Sequence, residues 1–295
     1  MIAKFEVQFD HKLKVWVLVL GGWRPIQLAA VDILVVDRNI TSALEALEAK
    51  PNRQDLVADK WWLGYLNRPT PLLNPILCAS EGKWRSTPTF EQFCQELRRS
   101  TLVLSRSLPN AGIIRHPEQH LEQLYAMCVS QASRTRKEVD FLVVVCPLLV
   151  SRTSRANERH LEVAILSAAD QSGISRQSLC CMAALSVLYE RPDGREPRVG
   201  RGILKPTRTY SQEDAYNALS DLHGLEFFAA GCAMSGFTSG LCTRDKYLAA
   251  FWVALGVQFG TWSENKFSAT YTPRQELFPR LNDEEIDSLF KRIKT

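Results

Sequence analysis

Two aspartates stand where short aliphatic runs give way to helical patterns. Asp37 closes the run in "ILVVDRN" (33–39), and Asp245 ends "LCTRD" (241–245). Four consecutive aliphatic residues before Asp37 suit a strand covered on both faces, as in a parallel sheet, and ligands of such sheets gather at the carboxyl ends of their strands. Between the two aspartates, "SQEDAYNALSDLHGLEFFAAG" spaces Asp214, Asn217 and Asp221 at i, i+3 and i+7. That spacing puts an amide and two carboxylates on one helical face. Gathered carboxylates suit hard divalent cations, Mg²⁺ or Mn²⁺. Such ions take carboxylate oxygens, keep several waters, and relieve the repulsion that would otherwise hold some of the acids protonated. With two ions about 3.5–4 Å apart, one activates a water and the other stabilises the leaving oxygen of a phosphodiester.

Other chemistries find less support. The chain has no CxxC, no HExxH, no G-x-G-x-x-G and no Walker glycine pattern, so neither a zinc site nor a glycine-rich phosphate loop is indicated. His116 and His120 are four apart, as metal ligands on a helix are, but Pro117 between them marks a helix start. Eight cysteines in 295 residues are sparse for a disulfide scaffold, and adjacent Cys180 and Cys181 cannot make an ordinary bridge with each other. Reduced thiols are expected. With 45% apolar residues the chain can bury a sizeable core. The run "VWVLVL" (15–20) is far short of a membrane span, and the first residues lack the unbroken apolar core of a signal peptide. The expectation is a soluble, cytoplasmic protein with no membrane partner.

The elements that must carry these acids follow from the pattern. Residues 5–20 alternate enough for one or two strands that turn at Gly21-Gly22, ahead of a strand over 33–36. "TSALEALEAK" is helical, with Ser42 and Glu45 spaced as a capping box. A second helix covers "DLVADKWWLGYLN", a loop runs from Asn67 to Pro75, and "NPILCASEG" is too short to assign. Thr87-Pro88 opens a helix over 88–106, and Pro117 opens another. "DFLVVVCPLLV" reads as a second buried strand ended by Pro147. Helices are expected over 157–171 and 176–189, the latter capped by Ser175. A Pro-, Gly- and Arg-rich loop follows over 190–209. Ser211 with Asp214 caps a helix to about residue 229, a strand over 241–243 leads into a helix at Asp245, and "DEEIDSLFKRI" closes the chain as an amphipathic helix. Because Ser42 supplies a cap, Asp37 is read as a site residue. Asp245 at a helix start is stabilised by the free N–H groups and dipole whether or not it binds an ion, and Asp214 fits a capping role equally well. Trp61-Trp62 could offer a stacking surface or be core.

On these residues the sequence resembles the PIN-like nucleases, in which a first strand ends in a D-x-N motif, as at Asp37-Arg38-Asn39. A late strand ends in a T/S-x-D motif, as at Thr243-Arg244-Asp245. The resemblance implies that Glu81 in "NPILCASEG" is the second acid and Asp221 the third, with Asp214 as its rival and Asn217 and Thr243 in support. It further implies an α/β fold, three-layer α/β/α about a mainly parallel central sheet, and metal-dependent hydrolysis of phosphodiesters, most often in RNA. The 140 residues between Glu81 and Asp221 exceed the compact family pattern. The implied organisation is therefore an N-terminal strand extension over 1–30 and an α/β domain over 31–295 with a mostly helical insertion around 110–209.

The net charge of +4 is modest, but Arg152, Arg155, Arg198, Arg201 and Lys205 fall in basic stretches that could meet a phosphate backbone or simply be solvated. The expected partner is nucleic acid, RNA first, with a regulatory protein partner left open. Two other functions fit the same acids: an inactive PIN-like module that binds nucleic acid or protein, and a nuclease directed at DNA.

Overall fold

The computed structural model describes residues 14–51, 61–81, 84, 86–130, 132–191, 198–234, 236–263 and 266–294. The first part of the expected 5–20 strands, the first half of the helix expected before Asn67, and residues 192–197 of the loop expected over 190–209 lie outside them.

A five-stranded mixed sheet organises the chain, as expected for an α/β protein. Its strands are β1 (Trp16–Val19), β2 (Gly22–Pro25), β3 (Ile33–Val36), β4 (Leu72–Asn74) and β5 (Ser239–Thr243), in the spatial order β2-β1-β5-β3-β4. At its centre β3 pairs parallel to both β4 and β5, while β1 runs antiparallel to β5 and β2. Side chains alternate across the strands, and the two faces are both apolar. Leu34 and Val36 of β3 and Cys242 of β5 join a core with Ile40, Leu44, Trp62 and Leu104. Val35 and Leu241 point the other way, into a larger core with Leu77, Phe141, Leu222 and Trp252. Burial on both faces is why "ILVV" carries no polar alternation.

Helix α1 (Arg38–Ala49) leaves β3 directly. It begins five residues earlier than the Ser42 cap predicts, because Asp37 caps it by accepting from Asn39 N. Next come α2 (Trp61–Leu66), then β4, then α3 (Ile76–Glu81), so that "NPILCASEG" is a strand end and a short helix. Trp62 is core and Trp61 stacks edge-on against Tyr65. Helix α4 (Phe90–Ser107) is capped by Thr89 with Gln92 in a reciprocal capping box, two residues after the expected Thr87. Ion pairs of Arg99 with Glu45 and Arg106 with Glu48 tie α4 to α1.

The segment expected as a second buried strand is helical. Helix α5 (Leu121–Val129) is followed by α6 (Ala132–Val145) and a 3-10 turn over Cys146–Leu149. In α6 Phe141, Leu142 and Val145 are buried while Val144 is 57% exposed, which is helical spacing. A continuous apolar run does not distinguish a buried strand from a buried helix. Pro147 sits at the start of the 3-10 turn, where its missing N–H costs little.

Helices α7 (Arg155–Ser172) and α8 (Leu179–Leu188) follow, the second capped by Ser178 rather than Ser175. The expected loop over 190–209 contains α9 (Val199–Leu204). Its glycines signal a loop by composition but serve close packing. A Cβ on Gly200 would lie 2.4 Å from the Ala183 carbonyl oxygen, and one on Gly202 would lie 2.1 Å from Tyr247 Cγ. Helix α10 (Gln212–Met234) runs past the expected end at 229, then β5 leads into α11 (Lys246–Leu255). A hairpin of β6 (Val257–Ser263) and β7 (Lys266–Tyr271), to which the sequence reading assigned nothing, precedes the closing α12 (Asp283–Lys294). Among the described residues, no helix is long and apolar enough to cross a membrane.

Candidate active site

Parallel pairing of β3 with β5 brings the two sequence motifs together at one edge of the sheet. Asp37 N donates to the Cys242 carbonyl at 3.0 Å, which fixes the end of one strand to the end of the other. Asp37 is only 5% exposed. Its Oδ1 accepts from Asn39 N at 3.2 Å, and its Oδ2 accepts from Asn39 Nδ2 at 2.6 Å and from the Thr243 hydroxyl. Asn39 Nδ2 also donates to Thr243 Oγ1 at 2.9 Å, and Asn39 Oδ1 accepts from Arg244 N at 2.8 Å. Thr243 Oγ1 accepts in addition from Asp245 N at 3.0 Å. The Thr243 hydroxyl thus uses its one donor and two acceptors, and the Asn39 amide uses both N–H groups and its oxygen. Asn39 and Thr243 are positioning residues for Asp37. Asp245 caps α11 through Tyr247 N at 2.7 Å and Leu248 N at 3.0 Å, so its capping role and its place at the site coexist.

Glu81 arrives from the carboxyl end of α3, behind β4, and Asp221 from the middle of α10. Asp37, Glu81, Asp221 and Asp245 line one open cavity of about 580 Å³, together with Arg38, Asn39, Ser42, Lys205 and Arg244. Electrostatics across the cavity couple these acids. Burial pushes the Asp37 carboxyl up to about 6, with the charge of Asp245 adding and the bonds from Thr243 and Asn39 opposing. Burial, then the charges of Asp37 and Asp221, raise Glu81 well above the usual carboxylate range, and Arg38 works against them. Burial, then Asp37 and Asp245, raise Asp221 in the same way, opposed by Lys205. The cationic side chains around the cavity therefore compensate the acids only in part.

Lys205 owes its position to backbone geometry. It is the C-cap of α9 with φ 46° and ψ 55°, the single non-glycine residue with positive φ among the described residues. A left-handed cap on a lysine carries a steric cost that glycine would avoid. The tight packing of Gly200 and Gly202 seats α9 so that this cap lies at the cavity.

The remaining sequence candidates fall elsewhere. Asp214 exchanges hydrogen bonds with Ser211 as the α10 cap, and Asn217 is exposed; neither lines the cavity. A helix rises about 1.5 Å per residue, so a shared face still leaves Asp214 about 10 Å from Asp221 along the axis. Arg201 donates to Glu190 at 2.7 Å and to the Leu149 and Val150 carbonyls, and Arg155 pairs with Glu158 and Glu285. Arg152 lies 3.9 Å from Glu190. These three arginines and Arg198 do not line the cavity, which leaves Lys205 as the basic candidate that does. His116 bonds Asn74 at 3.0 Å and His120 lies 3.5 Å from Gln119, so the pair does not form a ligand set. Arg38 and Arg244, the middle residues of the two motifs, also line the cavity, and a D-x-N or T-x-D pattern carries no signal for that middle position.

The donor set is wholly of carboxylate oxygens, the kind that hard divalent cations take. Among the described residues, no three His, Cys, Asp or Glu side chains are grouped tightly enough to hold one ion as they stand. The four acids share a cavity wall rather than a closed cage. The raised proton affinities of Asp37, Glu81 and Asp221 are the electrostatic condition that a bound cation would relieve.

No protein-family model, no curated protein and no solved structure matches this chain at a significant level.

Proposed function

We propose that this protein is a PIN-like, Mg²⁺- or Mn²⁺-dependent nuclease that hydrolyses phosphodiester bonds, with RNA as substrate. The observation that carries the reading is the meeting of Asp37, Glu81, Asp221 and Asp245, from four separate elements, on one cavity wall. Cores on both faces of the sheet support the three-layer arrangement that this reading entails.

In this reading Asp37 and Asp245 hold the cation, and Glu81 and Asp221 extend its coordination and orient the attacking water. A bound divalent cation supplies charge neutralisation and a water acidic enough to be deprotonated near neutral pH. Asn39 and Thr243 keep the Asp37 carboxylate in one orientation, which limits the reorganisation needed as charge develops. Glu81 and Asp221, whose carboxyls are raised by burial and by the neighbouring acids, offer oxygens that can accept a hydrogen bond from that water. Lys205, with Arg38 and Arg244, places positive charge where a phosphate backbone would approach the acids.

The test compares wild type with Asp37→Asn on labelled single-stranded RNA and DNA, with Mn²⁺, with Mg²⁺ and with EDTA. Expected is metal-dependent RNA cleavage that falls at least a hundredfold in the variant. Equal cleavage by both proteins ends the catalytic assignment of Asp37. RNA binding without cleavage by either protein would instead favour a binding module. Preference for DNA would redirect the substrate assignment.

A further inference from the structure

A second cavity, of about 890 Å³, adjoins the acidic one, and Glu81 lines both. Its longest wall is one face of α10, where Tyr216, Ser220, His223, Gly224, Phe227 and Gly231 recur at helical spacing. Two of these positions leave room that the fold does not fill. A Cβ on Gly224 would make only ordinary contact with Leu77 Cδ1 at 3.7 Å, and one on Gly231 would meet nothing within 4 Å. Glycine weakens a helix interior, and neither position is explained by close packing. Part of the cavity is polar and rigid. His223 Nε2 lies 2.7 Å from Glu138 Oε2, and Arg134 bridges Glu138 at 2.9 Å and Glu226 at 2.5 Å. Glu138 is 1% exposed, so this network is held from behind the wall.

Aromatic and aliphatic walls with a few fixed polar groups suit a planar ligand with hydrogen-bonding edges. The shared Glu81 makes that ligand continuous with whatever occupies the acidic cavity. We propose that the second cavity receives the base of a nucleotide flanking the scissile phosphate, which makes the substrate single-stranded at the site. The proposal rests on the nuclease reading above. A base paired within a duplex presents no free face to Tyr216 or Phe227, whereas an unstacked base can lie against them and use its edges on His223 and Arg134, which Glu138 holds from behind.

The experiment uses the full chain and a short oligoribonucleotide carrying 4-thiouridine, photocrosslinked without metal and mapped by peptide mass spectrometry. Cleavage of single-stranded and duplex RNA with Mn²⁺ is followed in parallel. Expected are crosslinks on cavity-wall peptides containing Tyr216 or Phe227. They should fall at least tenfold in Gly224→Leu and in Gly231→Leu, and stay within twofold of wild type in Gly224→Ala. Because Gly231 faces open space, its leucine variant fills the cavity even if Gly224→Leu misfolds, and thermal melts establish which variants are folded. Unlabelled single strand should compete, and duplex of the same sequence should not. Crosslinks outside the cavity, crosslinks unaffected in a folded leucine variant, or equal competition by duplex would overturn the proposal. Crosslinks that respond to the leucine variants with no metal-dependent cleavage of RNA or DNA would support the base site while ending the nuclease reading.

Discussion

Replacing Asp37 by asparagine is expected to stabilise the metal-free protein at pH 8 while leaving it unchanged or weaker at pH 5. Burial, with the charge of Asp245 adding, sets the Asp37 carboxyl at about 6 against an ordinary 3.8. A carboxyl whose folded pKa lies above its unfolded value binds its proton more tightly when folded. Its favourable contribution is complete below about pH 4 and is lost as pH rises through 6. A shift of about two units, at 1.36 kcal/mol per unit, makes ionised Asp37 cost about 3 kcal/mol at pH 8. Asparagine removes that charge and matches the shape. With its oxygen kept at the Oδ2 position for Asn39 Nδ2 and Thr243, its N–H2 group takes the Oδ1 position and faces Asn39 N, and that one mismatched contact costs about 1–2 kcal/mol. The net gain is about 1–2 kcal/mol, or a rise in melting temperature of about 2–5 °C. At pH 5 the folded carboxyl is mostly protonated while the unfolded one is mostly ionised, so about half of the penalty, ~1.5 kcal/mol, remains and roughly cancels the mismatch. Thermal denaturation in EDTA at the two pH values measures the difference. A melting temperature lowered at pH 8, or shifted equally at both, would refute the idea that Asp37 is held in its folded position against an electrostatic penalty.

Four further outcomes follow from the same geometry. Mn²⁺ should raise the wild-type melting temperature more at pH 8 than at pH 5, because it competes with protons whose affinity at Asp37, Glu81 and Asp221 is raised. Asp221→Asn should at least halve that metal-dependent rise in the same melts. Lys205→Gly should relieve its left-handed backbone and stabilise the fold by about 0.5–1 kcal/mol, yet weaken RNA binding and flatten its salt dependence in filter-binding titrations. Arg201→Ala should do the reverse. It leaves buried Glu190 with only Arg152 at 3.9 Å and unpairs two carbonyl groups, costing about 3 kcal/mol in denaturant unfolding, while RNA affinity in the still-folded population stays within twofold.

Helix and strand assignments from pattern held best where periodicity and capping agreed. The long helix bearing Asp221, the Leu241–Thr243 strand core and the closing α12 all formed, with ends displaced by a few residues. They failed where composition had two physical meanings. "FLVVV" suits a buried strand and a buried helix alike, and its neighbours in space made it α6. Gly200 and Gly202 read as loop residues, and they proved to be the contact surfaces of α9 against α8 and α11. Asp37 displaced Ser42 as the cap of α1 because the strand ends at Val36 and the first free N–H groups of the helix lie beside its carboxylate.

Local order along the chain determined that Asp37 and Asp245 stand at strand-to-helix junctions, since aliphatic runs and helical periodicity are read over a few residues. Only the tertiary structure decided that these junctions meet, because Thr243 lies 206 positions from the Asp37 it bonds and parallel pairing of β3 with β5 closes that distance. The same packing chose Asp221 over Asp214 on one helical face, brought Lys205 and Glu81 to the cavity, and drew Arg155 and Arg201 into ion pairs elsewhere. A carboxylate's chemistry is set by the charges and burial around it, and those belong to neighbours in space rather than in sequence.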